Sequence, residues 1–160
     1  MRKYRDAVTG DRYDISHLER QVVEYVQHAT AKDPERRYRV EVTYSDHCYT
    51  KGRPDGGRLF DPERYEQSKQ LPKIVAALMS RECHHTGRTN FVTFDIDKTR
   101  TYEVYFEVFK RGGLRLRVQS AYIRDAGGAA NRPRRAKINF HTILYNVLND
   151  RAIHPPRQKR

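Results

Sequence analysis

Between Tyr38 and Tyr44 apolar and polar residues alternate without a break, with Tyr38, Val40, Val42 and Tyr44 on one side and Arg39, Glu41 and Thr43 on the other. That period of two is the pattern of a strand with one buried face. The strand runs into TYSDHCYTKG, where continued alternation sends Asp46 and Cys48 to the side of Tyr44 and His47 to the side of Ser45. The next stretch, KGRPDGGRLF, holds too much Gly and Pro for regular structure and reads as a loop.

Upstream the pattern is ambiguous. Leu18, Val22, Val26 and Ala29 recur at helical spacing behind the capping-box pair Ser16 and Glu19. Yet Val22, Val23, Tyr25 and Val26 are residues that strands prefer, and VVEYVQ pairs as well with YRVEVTY in a hairpin. Residues 18–28 stay open between the two, and ATAKDPERR is a polar connection in either case.

Asp61, Pro62 and Glu63 open a helix, supplying an N-cap oxygen, a residue without an orphan N–H and an acid at the positive dipole end. It should reach about Gln70, where Pro72 interrupts and a second helical series carries Ile74, Val75, Leu78 and Met79 on one face. Three strands follow, in NFVTFDID, TYEVYFEVF and LRLRVQSAYI. Matching apolar faces across the Arg111-Gly112-Gly113 turn pairs Val108 with Leu116, Phe106 with Val118 and Val104 with Ser120. Glu107 then faces Arg117, Tyr105 faces Gln119, and Tyr122 falls on the core side with Val118. After the loop DAGGAANRPRRAK, Phe140, Ile143, Leu144, Val147 and Leu148 repeat at helical spacing behind Asn139 as N-cap.

The expected fold is α+β, an antiparallel sheet of about four to five strands with helices packed on one face. Residues 1–153 form a single domain on this reading, and 154–160 a basic flexible tail. The second sheet face is left free. Open faces lined by polar, basic and aromatic side chains are common places to hold RNA.

Charge sharpens that picture. The chain of 160 residues carries a formal net charge of +12 and a mean hydropathy of -0.95. Such an excess steers a protein toward phosphates before any specific contact forms, so a polyanionic partner is the leading inference. No run approaches the roughly 18 apolar residues of a membrane span, and the N-terminus has no apolar leader core, so a cytoplasmic protein with no membrane contact is expected. Cys48 and Cys83 are then a reduced pair of thiols.

Three segments bring chemistry together if their strands are neighbours: SDHCYTKG, CHHTGR and QSAYIRD. They supply His47, His84, His85, Lys51, Arg88, Ser120, Tyr122 and Arg124, the inventory of a metal-independent ribonuclease. That reaction needs a base for the ribose 2′-hydroxyl, cations for the phosphorane and an acid for the leaving 5′-oxygen. Histidine suits the proton transfers, and Lys or Arg the charge. The candidate catalytic set is His47 as base, Lys51 and Arg88 as phosphate stabilisers, and Tyr122 or His85 as acid. Bland roles stand beside these: a loop hydrogen bond for His47, helix C-terminal contacts for His84 and His85, and a core-edge position for Tyr122.

Arg124 and the basic loop residues Arg132, Arg134, Arg135 and Lys137 are candidate phosphate-backbone contacts. A zinc site built from His47, Cys48, Cys83, His84 and His85 is disfavoured, because neither C-x-x-C nor H-x-x-x-H spacing occurs. No metal and no cofactor is expected.

The pieces YRVEVTYSDHCYTKG, RLFDPERYEQSKQLPKIVAAL, NFVTFDI, YEVYFEVF, LRLRVQSAYIRD and INFHTILYNVLNDR resemble the small bacterial stationary phase growth adaptation proteins. That likeness spans most of residues 10 to 153 and implies a bacterial accessory protein. More distantly, helices followed by strands ending in an S-A-Y strand are similar to the barnase, EndoU, colicin and RelE superfamily of metal-independent RNases, many of them toxins. The resemblance implies that His47 with Lys51, and Ser120 with Tyr122, fall where such enzymes place active-site residues.

Three functions remain in play. The preferred one is an RNase acting as a toxin or defence effector. The others are a non-catalytic RNA- or ribosome-binding protein, and an interaction module whose charge recruits an acidic, antitoxin-like partner.

Overall fold

The structure, a computed structural model, describes residues 1–125 and 136–153. In chain order the first strands are β1 (Lys3–Arg5), β2 (Arg12–Asp14), β3 (Gln21–Gln27), β4 (Arg36–Tyr44), β5 (Thr50–Gly52) and β6 (Arg58–Phe60). Helices α1 (Pro62–Ser68) and α2 (Leu71–Ala76) follow. Strands β7 (Glu82–His85), β8 (Asn90–Asp95), β9 (Arg100–Lys110), β10 (Leu114–Asp125) and β11 (Ala136–Asn139) lead to α3 (Phe140–Leu148).

The fold is α+β, as expected, but its sheet is wider than four or five strands and is not purely antiparallel. Among the described residues seven strands join in the order β11-β7-β8-β9-β10-β4-β3, and β1-β2 and β5-β6 form separate hairpins. β4 and β10 run parallel, with Val40 beside Leu114 and Tyr44 beside Val118. The strands that escaped the pattern are short: ECHH and AKIN have four residues each, too few to display a period. β7 also removes the helix-terminus role for His84 and His85, which lie in a strand.

Residues 18–28 resolve as the hairpin. β3 pairs antiparallel with β4, setting Val23 against Val40 and Tyr25 against Tyr38, while Ser16–Leu18 makes a single 3-10 turn. The β-branched run decides, because on a strand it packs Val23 and Tyr25 against the β4 core face, which a helix of this composition does less well. The glycine-rich stretch after Gly52 is likewise more ordered than its composition implied. Its ends pair as β5 and β6, and residues 53–57 form the turn, with Gly56 at φ +85°.

α1 begins as its sequence requires, with the Asp61 carboxylate accepting from the Arg64 N–H at 3.0 Å. It ends at Ser68 rather than Gln70, and Pro72 sits in the first turn of α2, where its missing N–H costs nothing. Asn139 caps α3 by accepting from the His141 N–H at 2.9 Å.

One sheet face forms the core. Val40, Val42, Val104, Phe106, Leu116 and Val118 lie under Leu71, Ile74 and Val75 of α2 and Phe140, Ile143 and Leu144 of α3. Phe140 meets Tyr25 and Phe106 edge-on, at 4.8 and 5.9 Å between centroids.

The β9–β10 hairpin follows the expected register as far as Val118 opposite Phe106, then departs from it. A bulge at Gln119 places Ser120 opposite Tyr105 and Ala121 opposite Val104, one step out from the expected Val104–Ser120 and Tyr105–Gln119 pairs. The extra residue turns Ala121 inward and carries Ser120, Tyr122 and Arg124 to the face away from the helices. Tyr122 is therefore not on the core side. Arg132, Arg134, Arg135 and the expected tail 154–160 lie outside the described residues.

Candidate nucleic-acid interface

The same bulge ends β4. The Ser45 N–H donates to the Val118 carbonyl at 2.9 Å and its hydroxyl to the Gln119 carbonyl at 2.8 Å, while Ser45 Oγ accepts from the His47 N–H at 3.0 Å. Asp46–Cys48 is thereby a 3-10 turn and not a continuing strand. Cys48 turns into the core, fully buried, and burial pushes its thiol up to about 12. His47 turns outward with its side chain 46% exposed.

Around His47 the fold gathers arginines. Arg64, on the first turn of α1, donates to the His47 and Thr50 carbonyls at 3.1 and 2.9 Å. Arg58, on β6, donates to the Thr50 hydroxyl and carbonyl at 2.8 Å each. Exposed Arg117 on β10 makes no hydrogen bond or ion pair among the described residues, yet lies near enough to repel a proton from His47. Burial, then Arg58, holds the His47 pKa below the ordinary 6.5 against the opposing pull of Asp46, 3.8 Å away. Arg58 and Arg64 bond carbonyls and a hydroxyl and no carboxylate among the described residues, and burial holds the Arg64 pKa below its ordinary value against the pull of Asp61. Lys51 is exposed in the β5–β6 hairpin, opposite Leu59, without a side-chain partner among the described residues.

Tyr122 borders this corner, with the Arg64 guanidinium 5.3 Å from its ring centre. Its hydroxyl accepts from Arg124 at 2.9 Å, and Arg124 also donates to Glu103 at 2.9 Å. Tyr105 donates to the same Glu103 oxygen at 2.7 Å. Burial lowers the Arg124 pKa, but the hydrogen bond and charge of Glu103 outweigh it and raise the pKa above its ordinary value. Arg124 is thus committed to a carboxylate whose side chain is only 6% exposed.

The sheet face beyond is no open platform of rings. His84, Phe91, Tyr105 and Tyr122 stack on one another across β7 to β10, with centroids 5.3, 5.2 and 5.7 Å apart and planes 26°, 29° and 14° from parallel. Each ring face between the ends of this row covers its neighbour, and Phe91 is 2% exposed. Base stacking needs free faces, which the row does not offer between its ends.

The remaining candidates lie elsewhere. His85 is 7% exposed on β7, three strands from β10, and burial lowers its pKa. With exposed Arg88 it lines a cleft of about 140 Å³ shared with Asn90, Glu107 and Ile153. Lys137, at the far edge on β11, pairs with Glu82 at 3.1 Å. The structure brings His47 and Tyr122 to either side of Arg64, leaves Lys51 nearby in the chain, and separates His85, Arg88 and Lys137 from them. Among the described residues no group of three or more His, Cys, Asp or Glu side chains could hold a metal ion, and no helix is long and apolar enough to cross a membrane.

The sequence pattern missed Arg58, Arg64, Arg117 and Glu103. Arg64 and Arg58 join the corner only through the turn at Asp46–Cys48, and Glu103 meets Arg124 only through the shifted register.

The histidines give a pH prediction. Burial is the largest cause of a lowered pKa at His17, His47, His85 and His141. Each binds its proton more weakly folded than unfolded, so the stability involved is complete above the ordinary 6.5 and is lost as pH falls through the folded values. Thermal melts from about pH 8 to about pH 5 should show a falling Tm. A Tm that rises on acidification contradicts this assignment.

Comparison with known proteins corrects both resemblances drawn from the sequence. The model of the YjaZ family matches residues 5–148. Protein YjaZ of Escherichia coli (strain K12) is 30% identical over 168 aligned positions, covering 92% of this chain and 90% of the relative. No solved structure matches. The YjaZ match displaces the label of stationary phase growth adaptation protein. The likeness to the barnase, EndoU, colicin and RelE superfamily also falls, for it rested on helices preceding the sheet, whereas β3 and β4 precede α1 and β10 inserts parallel to β4. The chain belongs to the YjaZ family.

Proposed function

We propose that this chain binds RNA through its phosphate backbone, without cutting it, at the corner formed by His47, Arg58, Arg64 and Arg117. The observation that carries the reading is the convergence on His47 of three arginines, none of which forms an ion pair with a carboxylate among the described residues. A chain of net charge +12 adds long-range attraction to the same partner class. Binding is preferred to cleavage because no side-chain hydrogen bond joins His47 to an acid candidate among the described residues: the Arg64 guanidinium stands against the Tyr122 ring, and His85 lies three strands from β10. With the ring row closed, contact falls to the phosphates, and weak sequence preference is expected.

Fluorescence anisotropy with a single-stranded RNA, titrated with salt, tests the proposal. Three to four phosphate contacts give a log-log slope of about −2 to −3, and Arg117→Ala should reduce its magnitude by about 0.7 for every sequence alike. Absence of binding at low salt refutes the reading. A parallel incubation with total RNA and EDTA should leave the RNA intact. Chelator-resistant cleavage that His47→Ala abolishes would instead restore the ribonuclease, with His47 as base.

A further inference from the structure

We propose that β3 is a self-pairing edge through which two copies of the chain join antiparallel, continuing one sheet into the other. β3 is the last strand of the sheet, and among the described residues its backbone hydrogen-bonds to no segment other than β4. Edge strands are normally guarded by Pro, Lys, a bulge or short length. The opposite edge, β11, is four residues long and carries Lys137. β3 has seven residues, an unbroken register with β4, no Pro and no Lys. It also presents Val22, 50% exposed.

The sequence of β3 says which partner fits. QVVEYVQ is nearly a palindrome about Glu24. A two-fold axis through Glu24 sets Gln21 against Gln27, Val22 against Val26 and Val23 against Tyr25 of the second copy, so apolar meets apolar on both faces and amide meets amide on the face of Tyr25. Such self-complementarity is what an isologous contact requires, and sliding the register by two residues destroys it by placing Val22 against Glu24. Two Glu24 side chains meet on the axis, each already paired with its own Arg37 at 2.9 Å.

Charge removes the main objection, that two strongly basic chains repel. Residues 19–41 hold five carboxylates (Glu19, Glu24, Asp33, Glu35 and Glu41) and five cations (Arg20, Lys32, Arg36, Arg37 and Arg39). Ion pairs Arg20–Glu41, Arg37–Glu24 and Arg37–Glu35 lie along this edge. The basic excess of the chain is therefore carried elsewhere, and the edge is locally neutral.

A strand pair of this length is a small interface, so association in roughly the micromolar range is expected. Sedimentation of the full chain from about 1 to about 300 µM should show the mass rising from 18.9 kDa toward its double. Val22→Lys enters the interface twice by symmetry and should weaken association roughly ten- to thirtyfold while leaving the circular dichroism unchanged. Glu24→Cys, lying on the axis, should form an intermolecular disulfide with oxidised glutathione, since paired antiparallel Cα atoms stand about 4.5–5.5 Å apart. Gln27→Cys should not, and Cys48 and Cys83 are buried and do not interfere. A chain that stays monomeric throughout, or a dimer that Val22→Lys leaves intact and Glu24→Cys does not cross-link, overturns the proposal.

Discussion

Ala121→Asp should remove a large part of the protein's stability, while Ser120→Asp should leave the chain folded. Ala121 is fully buried and faces Val104 in the core. A carboxylate there has neither water nor a partner, and the cost of about 4 kcal/mol or more is a large part of the ~5–15 kcal/mol that holds a domain together. Ser120 stands opposite Tyr105 on the other face, partly exposed, where the same change costs about 1 kcal/mol. Urea unfolding of the two variants measures the difference. Uninterrupted alternation from Val118 predicts the reverse ranking, so the pair of variants reads the bulge at Gln119 directly.

That bulge shows where the sequence was legible and where it was not. The pairs Val108–Leu116 and Phe106–Val118 follow from matching apolar faces and hold in the structure. Beyond Val118 the chain reads Gln119-Ser120-Ala121, two polar residues before the next apolar one, which is the trace a bulge leaves in an alternating strand. Tyr122 hid it, because an amphipathic ring suits either face. The strand identity of β3 was undecidable from spacing, since QVVEYVQ serves both periods until β4 is present to pair with it. The parallel contact of β4 with β10 has no local signature, because nothing in either strand names a partner so far along the chain. The candidate site was legible only at His47, whose neighbours Arg58, Arg64 and Arg117 come from three other elements.

The second large effect concerns the pair beneath Tyr122. Glu103→Leu should cost about 3–5 kcal/mol in urea unfolding, the range seen when one member of a buried ion pair is removed. The side chains of Glu103 and Arg124 are 6% and 14% exposed, so the guanidinium left behind can neither hydrate fully nor find another carboxylate among the described residues. Tyr105 loses its acceptor in the same change. The double variant Glu103→Leu with Arg124→Leu should regain at least half of the loss, because it removes the stranded charge along with its partner. Equal destabilisation in the single and double variants contradicts the assignment, since it makes packing and not charge the source of the cost.

The parallel pair of β4 and β10 also sets an order in time. β3 and β4 are local partners and can close as a hairpin as soon as both have left the ribosome, whereas β4 reaches β10 across 74 residues of chain. At about 5–20 residues per second, synthesis keeps that side of β4 without its partner for about 4 to 15 seconds. During this interval Val40 and Val42 have only β3 beside them, and the nascent chain is most exposed to wrong strand pairing. Yield from the cell is thus expected to depend on how quickly residues 45 to 113 are translated, and not only on how stable the finished sheet is.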